Sequence, residues 1–179
     1  MISFSVVVAM DLENGIGKNG QLPWKLSVDM KHFKEITTKI STGSKAQNAV
    51  IMGRKTWESL PEKFKPLPQR LNVVLTRNRS LSFPTEVLKD ESLGTALEAV
   101  GAQVEEDKIE SIFVIGGGEI FKDAIKNPLC KRLYITQIFN QFHCDTFFPE
   151  FRKNFKQISA SPRSIENGLE YQFAVYERI

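Results

Sequence analysis

The chain has 179 residues, 41% of them hydrophobic, and 24 Lys and Arg against 21 Asp and Glu give it a net charge of +3. That size suits one domain, residues 1–179, able to bury most of its apolar surface without staples. The charges are spread rather than blocked, which argues against nucleic-acid binding. Cys130 and Cys144 are widely separated, with no Cys-x-x-Cys and no His at ligand spacing, so a disulfide framework or a metal site is not expected and a reducing, cytoplasmic setting is. MISFSVVVAMD has no basic region ahead of an apolar run of only strand length, so neither an export signal nor a membrane anchor is expected.

Taken in chain order, FSVVVAM (4 to 10) reads as a buried strand, followed by a Gly-rich loop and a helix over 27 to 38. NAVIM (48 to 52) is a second strand running straight into the helical RKTWESL, and LNVVLT (71 to 76) is a third. SLGTALEAV (92 to 100) is helical, SIFVIGG (111 to 117) is a strand, EIFKDAIK (119 to 126) a helix and RLYITQI (132 to 138) a strand. Alternating strands and helices imply crossover connections, hence a mainly parallel sheet covered on both faces. FKQISAS and LEYQFAVYERI alternate polar and apolar around the turn ENG (166 to 168), which predicts an antiparallel hairpin at one sheet edge. STGSKAQ (41 to 47), PEKFKPLPQR (61 to 70) and QVEED (103 to 107) are the candidate flexible segments.

The helix after the Gly-rich loop holds the first anomaly. Ser27 is a good N-cap, and Met30, Phe33, Ile36 and Ile40 recur at helical spacing. At about 100° per residue, Phe33, Ile36 and Ile40 fall within roughly 40° of Asp29, which puts this carboxylate inside the apolar stripe. A charge facing a core needs a partner, a hydrogen bond or a proton, so Asp29 is a candidate site residue. The competing reading is an ordinary acid in a first turn, stabilised by the free N–H groups and the helix dipole.

Ligands of parallel sheets bind outside the carboxyl ends of the strands. In IMGRKT a strand ends at Gly53 and Arg54, Lys55 and Thr56 open a helix, where free N–H groups, two cations and a hydroxyl suit a phosphate, unless the cations are simply solvated. In VIGGGEIF, Gly116, Gly117 and Gly118 let a backbone approach a flat or anionic ligand, though a tight turn reads equally well. Neither a G-x-G-x-x-G fingerprint nor a P-loop is present. LTRNR ends a third strand with Thr76, Arg77 and Arg79, enough cation with Arg54 for an extra phosphate such as a 2′-phosphate. Together these ends describe an elongated ligand with several phosphates.

In order along essentially the whole chain stand VVVA, GIGKNGQLPW, a carboxylate five residues after Trp24, MGRKTWESLP, PLPQR, VVLTR, VIGGGEIF and DTFFPE. This long collinear set resembles the dihydrofolate reductase family. The resemblance implies a predominantly parallel eight-stranded sheet with an antiparallel C-terminal edge strand and helices on both faces. It also implies NADPH-dependent reduction of 7,8-dihydrofolate to tetrahydrofolate. On that resemblance, Asp29 anchors the pterin and supports N5 protonation, Thr136 holds the Asp29 carboxylate, Trp24 holds an ordered water and Leu22 is a mobile gate. Val7, Val8, Met30, Phe33, Lys34, Leu60, Leu67 and Ile115 line the substrate, and Arg70 takes the substrate's glutamate α-carboxylate. Ala9, Ile16, Gly20, Gly53, Arg54, Lys55, Thr56, Leu75, Thr76, Arg77, Gly116, Gly117, Gly118, Glu119, Ile120 and Phe121 would meet NADPH, with the Gly116–Gly117 bond cis.

Two departures stand out: Phe121 where the family commonly has Tyr, and Glu91 at a position that is basic in some relatives. Apolar walls and plain core packing look alike in periodicity. Two other readings remain open here. One is a non-catalytic nucleotide- or nucleic-acid-binding module, which gives Asp29 no role. The other is a related pterin or pyrimidine reductase, which gives Arg70 no carboxylate. Fusion to thymidylate synthase, as in some members of the family, also stays open.

Overall fold

The computed structural model describes residues 2–179. In chain order the elements are β1 (Phe4–Met10), β2 (Gly15–Gly17), α1 (Ser27–Thr38), β3 (Gln47–Gly53), α2 (Arg54–Ser59), β4 (Arg70–Leu75), β5 (Val87–Asp90) and α3 (Leu93–Glu105). They continue with β6 (Ile109–Gly116), α4 (Gly118–Lys126), β7 (Cys130–Ile138), β8 (Thr146–Phe147), β9 (Phe155–Ala160), β10 (Ser164–Glu166) and β11 (Leu169–Arg178). The main sheet has the order β10-β11-β7-β1-β6-β3-β4-β5, and β9 also pairs with β11. β1 runs parallel to β6 and β7, β3 to β4 and β6, and β4 to β5, whereas β11 is antiparallel to β7. No helix among the described residues is long and apolar enough to cross a membrane.

Alternation along the strands divides the core between two faces. Ala49 and Ile51 of β3 join Val6, Val8 and Met10 of β1 under α3 and α4. The intervening Val50 and Met52 join Val7, Val74 and Phe113 on the other face, beneath Trp57 of α2 and the half-buried Phe33 and Ile36 of α1. Each fully buried aliphatic side chain on these faces contributes about 1.5–3 kcal/mol.

The C-terminal hairpin departs from the expected one. The strand across the Asn167-Gly168 turn is β10, and FKQISAS forms β9, which pairs with the far half of β11. Between them Pro162 lacks the N–H that a continuous strand would need. The antiparallel β11 therefore lies one place in from the edge, covered by β9 and β10. Asn167 and Gly168 both have positive φ, 49° and 75°, as a tight hairpin turn of matching twist requires.

Other differences are local. β5 and the small β2–β8 pair lie in stretches with no clear alternation, too short for a period to register. QVEED is partly helical, because α3 continues to Glu105. PEKFKPLPQR is pinned rather than free: the buried Asn72 side chain bonds Leu67 N at 2.8 Å, Leu67 O at 2.9 Å and Arg70 O at 2.9 Å.

Ser27 is not the cap of α1. Leu26 occupies the cap position with no side-chain bond, and Ser27 is the first helical residue. A carboxylate from β10 takes over: Glu166 accepts from Ser27 N at 2.7 Å, Ser27 Oγ at 2.6 Å and Val28 N at 3.2 Å. At the other end, Asn48 Nδ2 donates to the Thr37 and Lys39 carbonyls at 3.0 and 2.8 Å. Free N–H and C=O groups at helix ends need such partners, and here tertiary contacts supply them.

Candidate active site

Asp29 stands in the first turn of α1, only 9% exposed, and Thr136 Oγ1 of β7 donates to its Oδ1 at 2.6 Å. Thr136 lies between Ala9 of β1 and Phe173 of β11 in the sheet register. His32, one turn along α1, stacks on that same Phe173 with ring centroids 3.8 Å apart. A carboxylate and a ring on one helix face are thus docked against neighbouring strands. Burial raises the Asp29 pKa, the Thr136 hydrogen bond works against it, and the Glu166 charge raises it further. Burial prevails over the hydrogen bond, so Asp29 holds a proton to higher pH than an ordinary aspartate.

On this side of the sheet Val7, Trp57 and Leu67 form a cluster against which Phe33, Leu60 and Ile115 pack. Leu22 is 50% exposed and Met30 51%, and Lys34 is exposed as well, so these three stand at the rim rather than in the packing. Trp24 is buried with Leu26, Ile138 and Tyr171, and its Nε1 has no hydrogen-bond partner among the described residues. A buried N–H needs an acceptor, which makes this group a candidate donor to a ligand or an ordered water.

Arg70 closes the other end. It is 7% exposed, donates from Nε to Pro68 O at 2.9 Å and from Nη1 to Thr37 Oγ1 at 2.8 Å, and lies 5.7 Å from the Phe33 ring centroid. No carboxylate pairs with it among the described residues, and burial pulls its pKa down. A buried cation with only neutral partners is a ready site for an anion.

Across the sheet ends, a Cβ on Gly116 or Gly117 would come within 3.1 or 3.3 Å of Thr56 Oγ1, and one on Gly53 within 3.3 Å of Ile120 Cγ1. Glycines there keep the ends of β3 and β6 open beside a hydroxyl, and Gly116 also has φ +133°, a conformation other residues rarely adopt. The Gly116–Gly117 bond is cis. Phe121 is buried beside Gly116 and meets Phe148 edge-on at 5.0 Å. Of the cations, Arg54 pairs with Glu58 at 2.7 Å and Arg79 with Glu91 at 2.9 Å, whereas Lys55 and Arg77 are exposed and form no ion pair among the described residues. Thr76 Oγ1 accepts from Asn78 N at 3.1 Å, shaping the turn that carries Arg77.

The loop between β1 and α1 is tied down from afar. Asp11, fully buried, accepts from Glu13 N at 2.9 Å, Gly15 N at 2.7 Å and Phe142 N at 3.1 Å, and Asp145 Oδ2 accepts from Asn19 N at 2.8 Å. A Cβ on Gly15 would fall 2.6 Å from Cys144 Sγ, so only glycine fits against that strap. A shallow depression of about 410 Å³ elsewhere, lined by Ile36, Ile40, Glu110 and Tyr134 among others, contains neither Asp29 nor a strand-end glycine. Its carboxylate already serves Ser41 N and Oγ at 2.8 and 3.0 Å.

A sequence model of the dihydrofolate reductase family matches residues 3–178. The chain belongs to the dihydrofolate reductase family. A dihydrofolate reductase of Aedes albopictus is 40% identical, the match covering 100% of this chain and 99% of the insect protein. One of Drosophila melanogaster is 38% identical over 99% of both chains. A bifunctional dihydrofolate reductase-thymidylate synthase of Glycine max is 44% identical, but the chain spans only 34% of its length.

As a dihydrofolate reductase the chain is an oxidoreductase, and the residues singled out by family resemblance distribute unevenly. Asp29 and Thr136 meet directly, and Val7, Phe33, Leu60, Leu67 and Ile115 collect in one cluster. Gly53, Thr56, Gly116, Gly117 and Ile120 converge at the strand ends. The side chains of Val8 and Leu75 do not join them, because strand alternation sends both into the α3–α4 core. Ile16 also packs against that core, Gly20 is exposed at φ +74°, and Glu119 pairs with Lys122 at 2.6 Å. Asp11, Asn72, Asp145 and Glu166 were not singled out in the sequence. Only Asp11 carried a signal, an acid just ahead of a Glu-Asn-Gly turn that its side chain could organise.

Proposed function

We propose that this chain reduces 7,8-dihydrofolate to 5,6,7,8-tetrahydrofolate with NADPH, supplying tetrahydrofolate for one-carbon transfer and thymidylate synthesis. The observation that carries the reading is the buried Asp29, held by Thr136 at 2.6 Å and inclined to keep its proton. Two carboxylate oxygens match the adjacent 2-amino and N3 donors of a pterin, and a group that binds a proton readily in a dry cleft can support protonation at N5. Thr136 fixes Oδ1 through one of its lone-pair sites, so each oxygen keeps an acceptor site for the ligand. Trp24 Nε1, buried and unpartnered, is the donor for a water that relays the proton.

Val7, Phe33, Leu60, Leu67 and Ile115 supply the apolar walls for pterin and aminobenzoyl rings, with Met30 and Lys34 at the rim and the main chain of Val8 beside them. Exposed Leu22, on a loop anchored by Asp11 and Asp145, is the gate that limits bulk water. Arg70, buried without a carboxylate, takes the substrate's α-carboxylate through its fork of donors.

The cofactor fits what stands at the strand ends: a cradle at Gly53, Gly116 and Gly117 that side chains would fill, a hydroxyl on Thr56, and the free cations Lys55 and Arg77. These residues, with Gly118 and the Thr76 turn, would hold its phosphates, and Ala9, Ile16, Gly20, Glu119, Ile120, Phe121 and the Leu75 main chain would flank it. Bound there, NADPH supplies the hydride for the C=N bond. Phe121 contributes no hydroxyl to that end of the cleft. Cys130 and Cys144, both free, suit a reducing compartment such as the cytoplasm.

The test is the loss of reduced-nicotinamide absorbance when purified chain meets NADPH and dihydrofolate. Turnover is expected with intact substrate and much weaker binding with a pterin lacking glutamate. No turnover with dihydrofolate sinks the proposal, and equal affinity for both substrates sinks the Arg70 assignment.

A further inference from the structure

We propose that Glu166, on the strand β10 at the sheet edge, is a positioning residue for Asp29: it holds the first turn of α1 and sets the electrostatic field in which the Asp29 carboxyl works. Its two oxygens take the N–H and O–H of Ser27 at 2.7 and 2.6 Å and the N–H of Val28 at 3.2 Å, so the residue immediately before Asp29 is tied to it. α1 has no side-chain cap of its own, and Glu166 is the group that fills this position. A carboxylate at a helix N-terminus offsets the positive end of the dipole, which would otherwise favour an ionised Asp29. The hydrogen bonds from Ser27 and Val28 hold the Glu166 pKa down, so the anion persists where Asp29 titrates.

The other neighbours do not duplicate this effect. β7 presents Thr136, a neutral donor, and β11 presents Phe173, an apolar ring under His32. On α1, Lys31 and Glu35 are exposed and 3.9 Å apart, and burial holds His32 toward its neutral form. Glu166 is the charge that shifts Asp29, in the same direction as burial. The part of the inference that concerns turnover rests on Asp29 supporting proton delivery, as proposed above.

The experiment compares Glu166→Gln, which keeps an acceptor and loses the charge, with Glu166→Asp, which keeps the charge on a shorter arm. Carboxyl carbon NMR of ligand-free protein reads the Asp29 titration directly, and kcat and KM are followed against pH, with melting as a check on folding. Glu166→Gln is expected to move the Asp29 midpoint to lower pH and to lower kcat on the alkaline side about two- to fivefold, the size of one charge at a helix end, with KM changed less. Glu166→Asp is expected to stay nearer the wild type in both. Ser27→Ala, which deletes only the 2.6 Å bond, should shift the midpoint the same way by less. An unmoved midpoint in folded Glu166→Gln, or equal shifts in Gln and Asp variants, overturns the proposal. A moved midpoint with an unchanged turnover profile upholds it and refutes instead the role of Asp29 in proton delivery.

Discussion

Asp29 and Thr136 meet inside packed helix and strand, fixed to 2.6 Å, whereas the half-buried Arg54 and the exposed Lys55, Arg77 and Arg79 stand at strand ends and helix starts, two of them already engaged by Glu58 and Glu91. On the ring side of the cleft, partners are buried and few, so any missing atom leaves another unsatisfied. On the proposed phosphate side the charges are largely solvated, and an exposed ion pair contributes only about 0–1 kcal/mol. Preorganisation and loose electrostatics therefore occupy one cleft, and substitutions should separate them by size of effect and by salt dependence.

The largest expected loss is from Asp29→Asn, with kcat/KM at neutral pH lower by about 10²–10⁴, the usual contribution of a positioned acid or base. Acidic pH should partly rescue it, since the substrate then arrives protonated, and wild-type kcat/KM across pH would remove the assigned role. Stability should move the other way. Because the folded Asp29 pKa lies above the ordinary 3.8, its favourable contribution is complete at pH below that value and is lost as pH rises through the folded pKa. The melting temperature of Asp29→Asn relative to wild type should therefore rise between acidic and neutral pH. A difference that does not vary with pH would contradict a costly buried anion.

Next in size is Arg70→Lys, which keeps charge and loses the fork. Affinity for dihydrofolate should fall about tenfold or more, from one charge-assisted bond at about 1.5–3 kcal/mol. A pterin without glutamate should be indifferent to the change, and a loss common to both ligands would place the effect in packing on Phe33 instead.

Arg77→Ala should weaken NADPH about tenfold, by a charge-assisted bond at the low end of the same range, and leave NADH nearly unaffected. Equal losses for both cofactors remove the 2′-phosphate assignment. The smallest effect is a gain: Glu58→Gln releases Arg54, and NADPH should bind up to about fivefold tighter at low ionic strength, with the gain fading in salt. A gain that salt does not change would mean that the phosphate side is as preorganised as the ring side.

Legibility in the sequence follows the same division between local and distant causes. Runs such as FSVVVAM and SIFVIGG announce their strands because burial imposes a period on neighbouring residues, and Asp29 is visible as an acid inside a helical stripe. Ser27 misleads for the complementary reason: its type suits a cap, but Glu166, 139 positions away, occupies that role. Asp11 reaches Phe142, and Asn19 reaches Asp145, across comparable separations of 131 and 126 positions. Such partners leave no local pattern. The long collinear motifs carried the family and the overall sheet. The division of β9 from β10 at Pro162 and the true face of Val8 and Leu75 required the fold itself.

The pairing of α1 with late strands has a consequence for how the molecule is made. The helix bearing Asp29 leaves the ribosome early, yet its clamp partner Phe173 and its anchor Glu166 belong to the C-terminal strands, and β11 must insert beside β7 before either can dock. With synthesis at about 5–20 residues per second, the Asp29 side waits about 7–30 seconds after α1 emerges, while the β3–β4–β6 ends that carry the glycines and Arg77 can assemble sooner. A nascent chain of this protein should thus acquire the strand ends proposed for the dinucleotide before the Asp29 end proposed for the folate.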